Sequence, residues 1–154
     1  MIYFIYISAI CAANLSAYYF GPWVTPLNAF FLIGLDFVIR DQLHERIGFI
    51  KMLGLIIIAG LFSFLVNPAS GLISLASVSA FLAANAADAT IFQMLIKRPW
   101  MIKSNGSNIV GAALDSVIFP LIAFGVFIPS VVVGQFIAKV FGGLVWSYIL
   151  RSRK

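Results

Sequence analysis

Hydrophobic residues fall into six long blocks along this chain, and short breaks with turn-forming residues separate the blocks. Each block is close to the roughly 20 apolar residues that a helix needs to cross a bilayer. The breaks are rich in glycine, proline and asparagine, which favour turns, and they include Gly21-Pro22, Asn67-Pro68, Arg98-Pro99, Asn105-Gly106 and Pro129. The pattern predicts six transmembrane helices, at approximately residues 2–20, 25–39, 47–66, 69–96, 105–127 and 130–150.

Three of the blocks differ from a simple membrane span in position or length. The first lacks a basic leading segment and a convincing cleavage site, so we expect a retained helix rather than a signal peptide. The second, 25–39, is short, which predicts a helix partly shielded by its neighbours. The fourth, 69–96, is long, which predicts either a tilted helix or a break near the alanine-rich run 83–89.

Composition agrees with a membrane protein. Of 154 residues, 62% are hydrophobic and only 10% are charged, whereas soluble domains carry about 25% charged residues. We therefore predict an all-α integral membrane protein that forms one six-helix transmembrane domain over residues 1–154. The single cysteine, Cys11, excludes an internal disulfide, and one cysteine with one histidine cannot build a metal-ligand cluster.

The net charge of +5 predicts membrane topology rather than nucleic-acid binding, because the basic residues lie at predicted helix ends. The connections after the second and fourth helices and the tail are basic, and the other three connections are uncharged. Positive residues remain on the cytoplasmic side. We therefore predict a protein of the cytoplasmic (inner) membrane whose two termini both lie in the cytoplasm. The basic residues concerned are Arg40, Arg46, Lys51, Lys97, Arg98, Lys103, Arg151, Arg153 and Lys154.

Ionisable residues at membrane depth are the strongest indication of a functional site. Each costs roughly 3 kcal/mol or more unless it faces the bundle interior or a wet cavity. Amides and phenylalanines share helical faces with these residues, at spacings of three and four. We therefore predict one shared cavity, with candidate binding residues Asp88, Asp115, Asn85, Asn108, Lys139, Gln135, Asp36, Asn14 and Phe119.

Structural roles are the alternatives for the same residues. Asp115 and Lys139 could form a buried ion pair that only sets helix register, and Asp36 could pair with Arg40 at the interface. His44, in the predicted loop 41–46, is expected to be solvated. Three acids and one lysine nevertheless exceed what one register-setting pair requires.

A short sequence pattern occurs twice in the chain and could indicate an internal repeat. The pattern L-D-x-V-I occurs at residues 35–39 and again at 114–118, in the second helix of each three-helix half. The two helices cross in opposite directions, as an inverted repeat with a midplane site would require. Five-residue matches also arise by chance in chains rich in Leu, Val and Ile, so both interpretations stay open.

Catalytic motifs are not evident in the sequence. It contains no G-x-S-x-G, no H-E-x-x-H and no glycine-rich phosphate loop, so we predict a protein that is not an enzyme and uses no cofactor. An intramembrane aspartyl enzyme would need two close acids, such as Asp88 and Asp115, but no further motif supports one. ATP-driven uptake would require another subunit.

Four stretches resemble the queuosine-precursor transporter family, also called the vitamin uptake transporter (VUT) family. They are DFVIR at 36–40 leading to Gly48, residues 108–124 with Asp115-Ser116 followed by IAFG, FIAKV at 136–140, and SAFLAANAADATIFQMLIKRPW at 79–100. The chain looks like a compact member. The resemblance implies six-helix import of 7-cyano-7-deazaguanine or 7-aminomethyl-7-deazaguanine, and its D-S-x-x-F element adds Ser116 to the candidate binding residues.

Such a substrate suits the predicted cavity chemically. A deazaguanine presents N1–H beside an exocyclic amine, and a carboxylate such as Asp115 can accept hydrogen bonds from both. Amide side chains can serve the O6 side, and phenyl rings can stack on the flat base.

Two other functions remain open at this stage. One is a substrate-binding subunit of an energy-coupling-factor vitamin transporter, for which the stripe of Ala9, Ala13 and Ala17 would suit docking to a partner helix. The other is a membrane scaffold that transports nothing. The expected partners are a small deazapurine and the lipid bilayer.

Overall fold

The computed structural model describes residues 1–151, whose regular structure is helical throughout. Each of its six long helices has the length and apolar character to cross a membrane, which confirms the predicted all-α membrane fold. Short connections of one to five residues join them. The helices are α1 (Ile2–Phe20), α2 (Pro22–Ile47), α3 (Phe49–Val66), α4 (Pro68–Met94), α5 (Trp100–Phe124) and α6 (Pro129–Arg151).

Helix α2 departs most from its predicted bounds, 25–39. It opens with a 3-10 turn at Pro22–Val24, passes through a π-helical turn at Ala29–Ile33, and continues to Ile47. The predicted loop residue Arg40 therefore lies inside a helix and is only 1% exposed. The charged residues in 40–46 predict a loop, but a helix can hold them when neighbouring helices supply polar partners. Gly48, with φ +81°, ends the helix, in a conformation that glycine adopts without strain.

The other helices differ less from their predicted bounds. The long fourth block is continuous from Gly71 to Met94 after a 3-10 turn, so there is no break at 83–89. Helix α5 begins at Trp100 rather than 105, which places Lys103 within it. Arg153 and Lys154, predicted as part of the basic tail, lie outside the described residues.

The bundle has two ends, which we name by their connections. The Gly48 end contains the N-terminus and the connections at residue 48 and at 95–99. The Asn67 end contains the connections at 21, 67 and 125–128. Exposed basic side chains, including Lys51, Lys97 and Arg98, lie at the Gly48 end, so loop charge alternates as the sequence indicated even without Arg40.

Helix α6 packs closely against α2 at a pair of glycines. A Cβ atom on Gly34 would lie 2.7 Å from the carbonyl carbon of Gly142, and one on Gly142 would overlap the carbonyl oxygen of Phe30. Only glycine permits this backbone approach. The π-helical turn of α2 ends at Ile33, directly before this crossing.

The outer surface of the bundle suits lipid, and the inner surface is mixed. Large apolar side chains such as Phe4, Leu65 and Tyr148 are exposed, as expected where hydrocarbon rather than water surrounds the protein. The alanine stripe of α1 instead faces inward, because Ala9, Ala13 and Ala17 are all at most 6% exposed. The stripe therefore offers no free surface for a partner helix, contrary to the docking role considered above.

Candidate functional site

A buried ion pair between α5 and α6 forms the centre of the site. The Lys139 ammonium lies 2.5 Å from Oδ2 of Asp115, and both side chains are at most 4% exposed. The same ammonium donates to Ser116 Oγ at 3.0 Å and to Gln135 Oε1 at 2.9 Å. These three acceptors match the three donors of a lysine, so Lys139 is fully satisfied.

The other oxygen of Asp115 is in a different situation. Oδ1 is buried and has no hydrogen-bond partner among the described residues. A carboxylate oxygen left without a donor in a low-dielectric interior is unfavourable by about 1–3 kcal/mol or more. Asp115 therefore keeps an unused acceptor beside its ion pair.

The polar chain continues from α6 to α2. Gln135 uses its amide nitrogen to donate to Thr25 Oγ1 at 2.7 Å, and Thr25 donates to the carbonyl of Pro22 at 2.6 Å. Both side chains are buried. The start of α2 is thereby tied to the lysine of α6, so a displacement of either helix disturbs Lys139.

A cavity adjoins the ion pair, and five of the six helices line it. Its volume, taken as the space that water can occupy, is about 30 Å³. One water needs roughly 10–15 Å³ by this measure, so the helices must separate before the cavity admits a larger solute. The lining residues are Ala13, Asn14, Ala17, Thr25, Asn28, Ile33, Ser77, Phe81, Asp115, Phe119, Gln135 and Lys139.

The amides in the cavity wall are held in place. Asn14 donates to Ser63 Oγ of α3 at 3.2 Å. Asn28 donates to Ser16 Oγ at 2.6 Å and to the carbonyl of Ala13 at 3.3 Å. The cavity thus combines one charged pair, positioned amides and two phenyl rings, a combination typical of sites for small, partly polar ligands.

A second buried polar cluster lies towards the Gly48 end. Arg40 of α2 lies 3.4 Å from Oδ1 of Asp88 and donates to Asn108 Oδ1 at 3.1 Å. Asn108 donates to Asp41 at 3.2 Å, and Ser104 donates a short hydrogen bond to the same oxygen of Asp41. We call these five residues of α2, α4 and α5 the Arg40 cluster.

Asp36 lies between the cavity and the Arg40 cluster. Its side chain is completely buried, and neither carboxyl oxygen has a hydrogen-bond partner in the part of the chain that the structure describes. Asp36 and Arg40 are not among the ion pairs of the described residues, so the predicted interfacial pair is wrong: Arg40 pairs with Asp88 instead. Burial explains the difference, because Asp36 lies in the bundle interior rather than at the interface.

The predicted binding residues therefore divide into two groups rather than lining one cavity. Helical spacing was the reason for placing Asn108 with Asp115, yet these side chains have different partners. Asn85 bonds back to the carbonyl of Phe81 at 2.7 Å. The cavity wall contains Asp115, Lys139, Gln135, Asn14 and Phe119, with Ser116 behind it, whereas Asp36, Asp88, Asn85 and Asn108 are outside the wall.

Sequence reasoning missed several polar residues of both groups. Arg40 and Asp41 were assigned to a loop, although the spacing of 36, 40 and 44 already continued a helical face. The sequence did not distinguish Thr25, Asn28 and Ser77 as site residues, because hydroxyl and amide side chains are common in membrane helices. His44 is half-buried and its ring contacts those of Phe49 and Phe92, so it is not the fully solvated residue expected.

Comparison with known proteins identifies a family that the chain resembles. The sequence profile of the family described as "Putative vitamin uptake transporter" matches residues 28–150. No curated protein and no solved structure matches the chain. The profile covers α2 from Asn28 onward through Leu150 of α6, and so includes the Asp115–Lys139 pair and the Arg40 cluster. This chain is a multi-pass membrane protein that belongs to the vitamin uptake transporter family.

Proposed function

We propose that this chain imports a small planar solute of the nucleobase type, and that 7-cyano-7-deazaguanine and 7-aminomethyl-7-deazaguanine are the first candidates. The observation that carries the proposal is the free oxygen of Asp115. Oδ1 is buried, unpartnered among the described residues and on a residue that lines the cavity, while Lys139 holds Oδ2. A ligand N–H can therefore bind Asp115 without breaking the ion pair.

The remaining cavity wall supports a flat, partly polar ligand. Phe81 and Phe119 offer ring faces, and Asn14, Asn28 and Gln135 offer amide groups. Stacking on an aromatic side chain contributes about 1–3 kcal/mol per base. Within this proposal Lys139, Gln135 and Ser116 keep Asp115 in position. Contact of the substrate with Asp36, Asp88, Asn85 and Asn108 stays a prediction, because none of these four residues lines the cavity.

We propose further that the protein lies in the cytoplasmic (inner) membrane with both termini inside. The exposed basic residues at the Gly48 end and the uncharged Asn67 end support this orientation. In that orientation the cavity lies nearer the outer surface, because Thr25 and Gln135 are close to the Asn67 ends of their helices.

The test of the proposal is the replacement Asp115→Asn, measured by ligand binding and by uptake into cells that lack coupling subunits. An amide in place of the carboxylate removes a charge-assisted hydrogen bond and adds a competing donor. The two effects cost about 2–4 kcal/mol, or roughly 30- to 1,000-fold in affinity. Glu45→Gln is the matched control, because Glu45 forms a partly exposed pair with Lys103, and binding should be unchanged.

An adenine-like analogue provides the decisive comparison, since it has an acceptor at N1 where guanine has a donor. Asp115→Asn should weaken guanine-like ligands much more than adenine-like ones. Equal weakening of both would show that Asp115 does not recognise the edge of the base. If neutralising Asp115 and Lys139 changes only stability while uptake persists, the cavity is not the transport site.

A further inference from the structure

The buried interior holds more acids than bases. Among the side chains that the structure describes, four carboxyl groups are at most 3% exposed, against one arginine and one lysine that are equally buried. If all six were ionised, two negative charges would have no buried counter-charge. Isolated charges are very unfavourable inside a protein and a membrane. The groups are Asp36, Asp41, Asp88, Asp115, Arg40 and Lys139.

Asp36 is the acid whose ionised form is least supported. Asp115 pairs with Lys139, Asp88 pairs with Arg40, and Asp41 accepts from Ser104 and Asn108. Asp36 alone among the four has neither an ion pair nor a hydrogen bond within residues 1–151. A proton on Asp36 removes an uncompensated charge without disturbing any observed contact.

The groups around Asp36 come from several helices. Tyr6 of α1, also completely buried and with its hydroxyl unpartnered among the described residues, is an electrostatic neighbour. Arg40 and Asp41 follow on α2, and Asp115 of α5 acts on Asp36 from the cavity side. Two further charged residues pair with these neighbours of Asp36. Asp88 of α4 pairs with Arg40, and Lys139 of α6 pairs with Asp115. Asp36 thus connects the cavity with the Arg40 cluster.

Arg40 has donors available for a second partner. It lies one helical turn after Asp36, and its Nε and one terminal nitrogen have no acceptor among the described residues. A guanidinium carries five N–H donors in a fixed fork. Arg40 can therefore exchange Asp88 for Asp36 by a rotation of its side chain.

Resting on the function proposed above, we propose that Asp36 carries the proton that couples solute uptake to the proton gradient. In the observed state Asp36 is protonated and Arg40 pairs with Asp88. In the coupling step the O–H bond of Asp36 breaks, Arg40 moves to the new Asp36 carboxylate, and the proton binds the Asp88 carboxylate that Arg40 has left. The total charge of Asp36, Arg40 and Asp88 is unchanged by this step. Release of the proton from Asp88 towards the Gly48 end, and protonation of Asp36 from the cavity side, complete the cycle.

A proton fits the geometry better than a metal cation. One unpartnered carboxyl oxygen is sufficient for a proton, whereas hard cations require several oxygen ligands at once. The position also favours coupling, because the charge on Asp36 acts directly on Asp115 in the cavity. Gain or loss of the proton would therefore alter how strongly Asp115 holds a ligand.

Infrared spectroscopy of the protein in lipid, without any solute, tests the protonation. A protonated carboxyl has a C=O stretch distinct from that of a carboxylate. We expect this band in the wild-type protein at neutral pH, a lower intensity in Asp36→Asn, and full intensity in the control variant Glu45→Gln, whose carboxylate is partly exposed. A wild-type spectrum without the band would overturn the proposal whether or not the variants fold, and so would a band of the same intensity in Asp36→Asn as in wild type.

Transport in proteoliposomes tests the coupling, with 7-cyano-7-deazaguanine as the probe and the membrane potential held at zero. One proton per solute allows about tenfold accumulation for a pH difference of one unit. We expect wild type and Glu45→Gln to approach that value, and Asp36→Asn to exchange labelled for unlabelled solute without accumulating it. The coupling is refuted if wild type exchanges the solute but does not accumulate it under a pH gradient, or accumulates it under a Na⁺ gradient instead. The proposed function would stand in either case. No exchange by wild type would refute the proposed function, and the infrared result would still decide the protonation of Asp36.

Discussion

Replacing Lys139 by methionine should strongly destabilise the bundle. Methionine keeps the length of the side chain and removes the ammonium, which has three acceptors at 2.5–3.0 Å. The change leaves Asp115 as a buried carboxylate without a counter-charge. Gln135 and Ser116 lose a donor at the same time.

The structure sets the expected magnitude. Removing one partner of a buried ion pair costs about 3–5 kcal/mol, mostly because the other charge stays buried and unpaired. Replacing both partners by apolar residues of similar size is often neutral. The double variant Asp115→Leu/Lys139→Met should therefore regain most of the stability that Lys139→Met loses. Because each single change costs about 3–5 kcal/mol, the coupling free energy should be at least about 3 kcal/mol.

The assay is reversible unfolding in mixed micelles at increasing SDS fraction, followed by circular dichroism. Lys103→Met is the matched control, since its pair with Glu45 is partly exposed and such pairs contribute at most about 1 kcal/mol. Strict additivity of the losses at positions 115 and 139 would refute the reasoning, because it would mean that the two groups do not share an interaction in the folded protein.

Three further outcomes follow from the fold. With Cys11 replaced, a membrane-impermeant thiol reagent should label Ser130→Cys in intact cells but not Arg98→Cys, and the reverse result would invert the proposed topology. Gly142→Ala should lose about 1–3 kcal/mol of stability, because the added methyl group overlaps α2. Gly143→Ala should lose none, because its Cβ would meet nothing within 4 Å. Equal effects of the two changes would contradict the close crossing of α2 and α6. Asn108→Leu removes the bridge between two charged side chains and should cost about 2–4 kcal/mol in the same SDS assay, and a change below about 0.5 kcal/mol would show that the bridge is not formed.

The sequence by itself determined the class of protein and the number of its helices. Six apolar blocks near bilayer length leave no alternative to spanning helices, because every backbone polar group in lipid must be paired within its own segment. The same reasoning singled out Asp36, Asp88, Asp115 and Lys139 as interior residues, and all four are buried. Their burial follows from the free-energy cost of placing a charged group in hydrocarbon. That cost depends on the residue type and on its position within an apolar segment, and both can be read from the sequence.

Only the tertiary structure decided which of these residues meet. Helical spacing places Asn108 and Asp115 on one face, but two positions seven residues apart lie about 10 Å apart along a helix. The two residues therefore lie at different depths in the bundle, beside different parts of the neighbouring helices. Asn108 forms hydrogen bonds with Arg40 and Asp41, whereas Asp115 pairs with Lys139. The inclusion of Arg40 in α2 likewise depends on Asp88 and Asn108, which come from helices distant in sequence. Partner choice depends on the relative height and rotation of packed helices, and one-dimensional periodicity contains neither quantity.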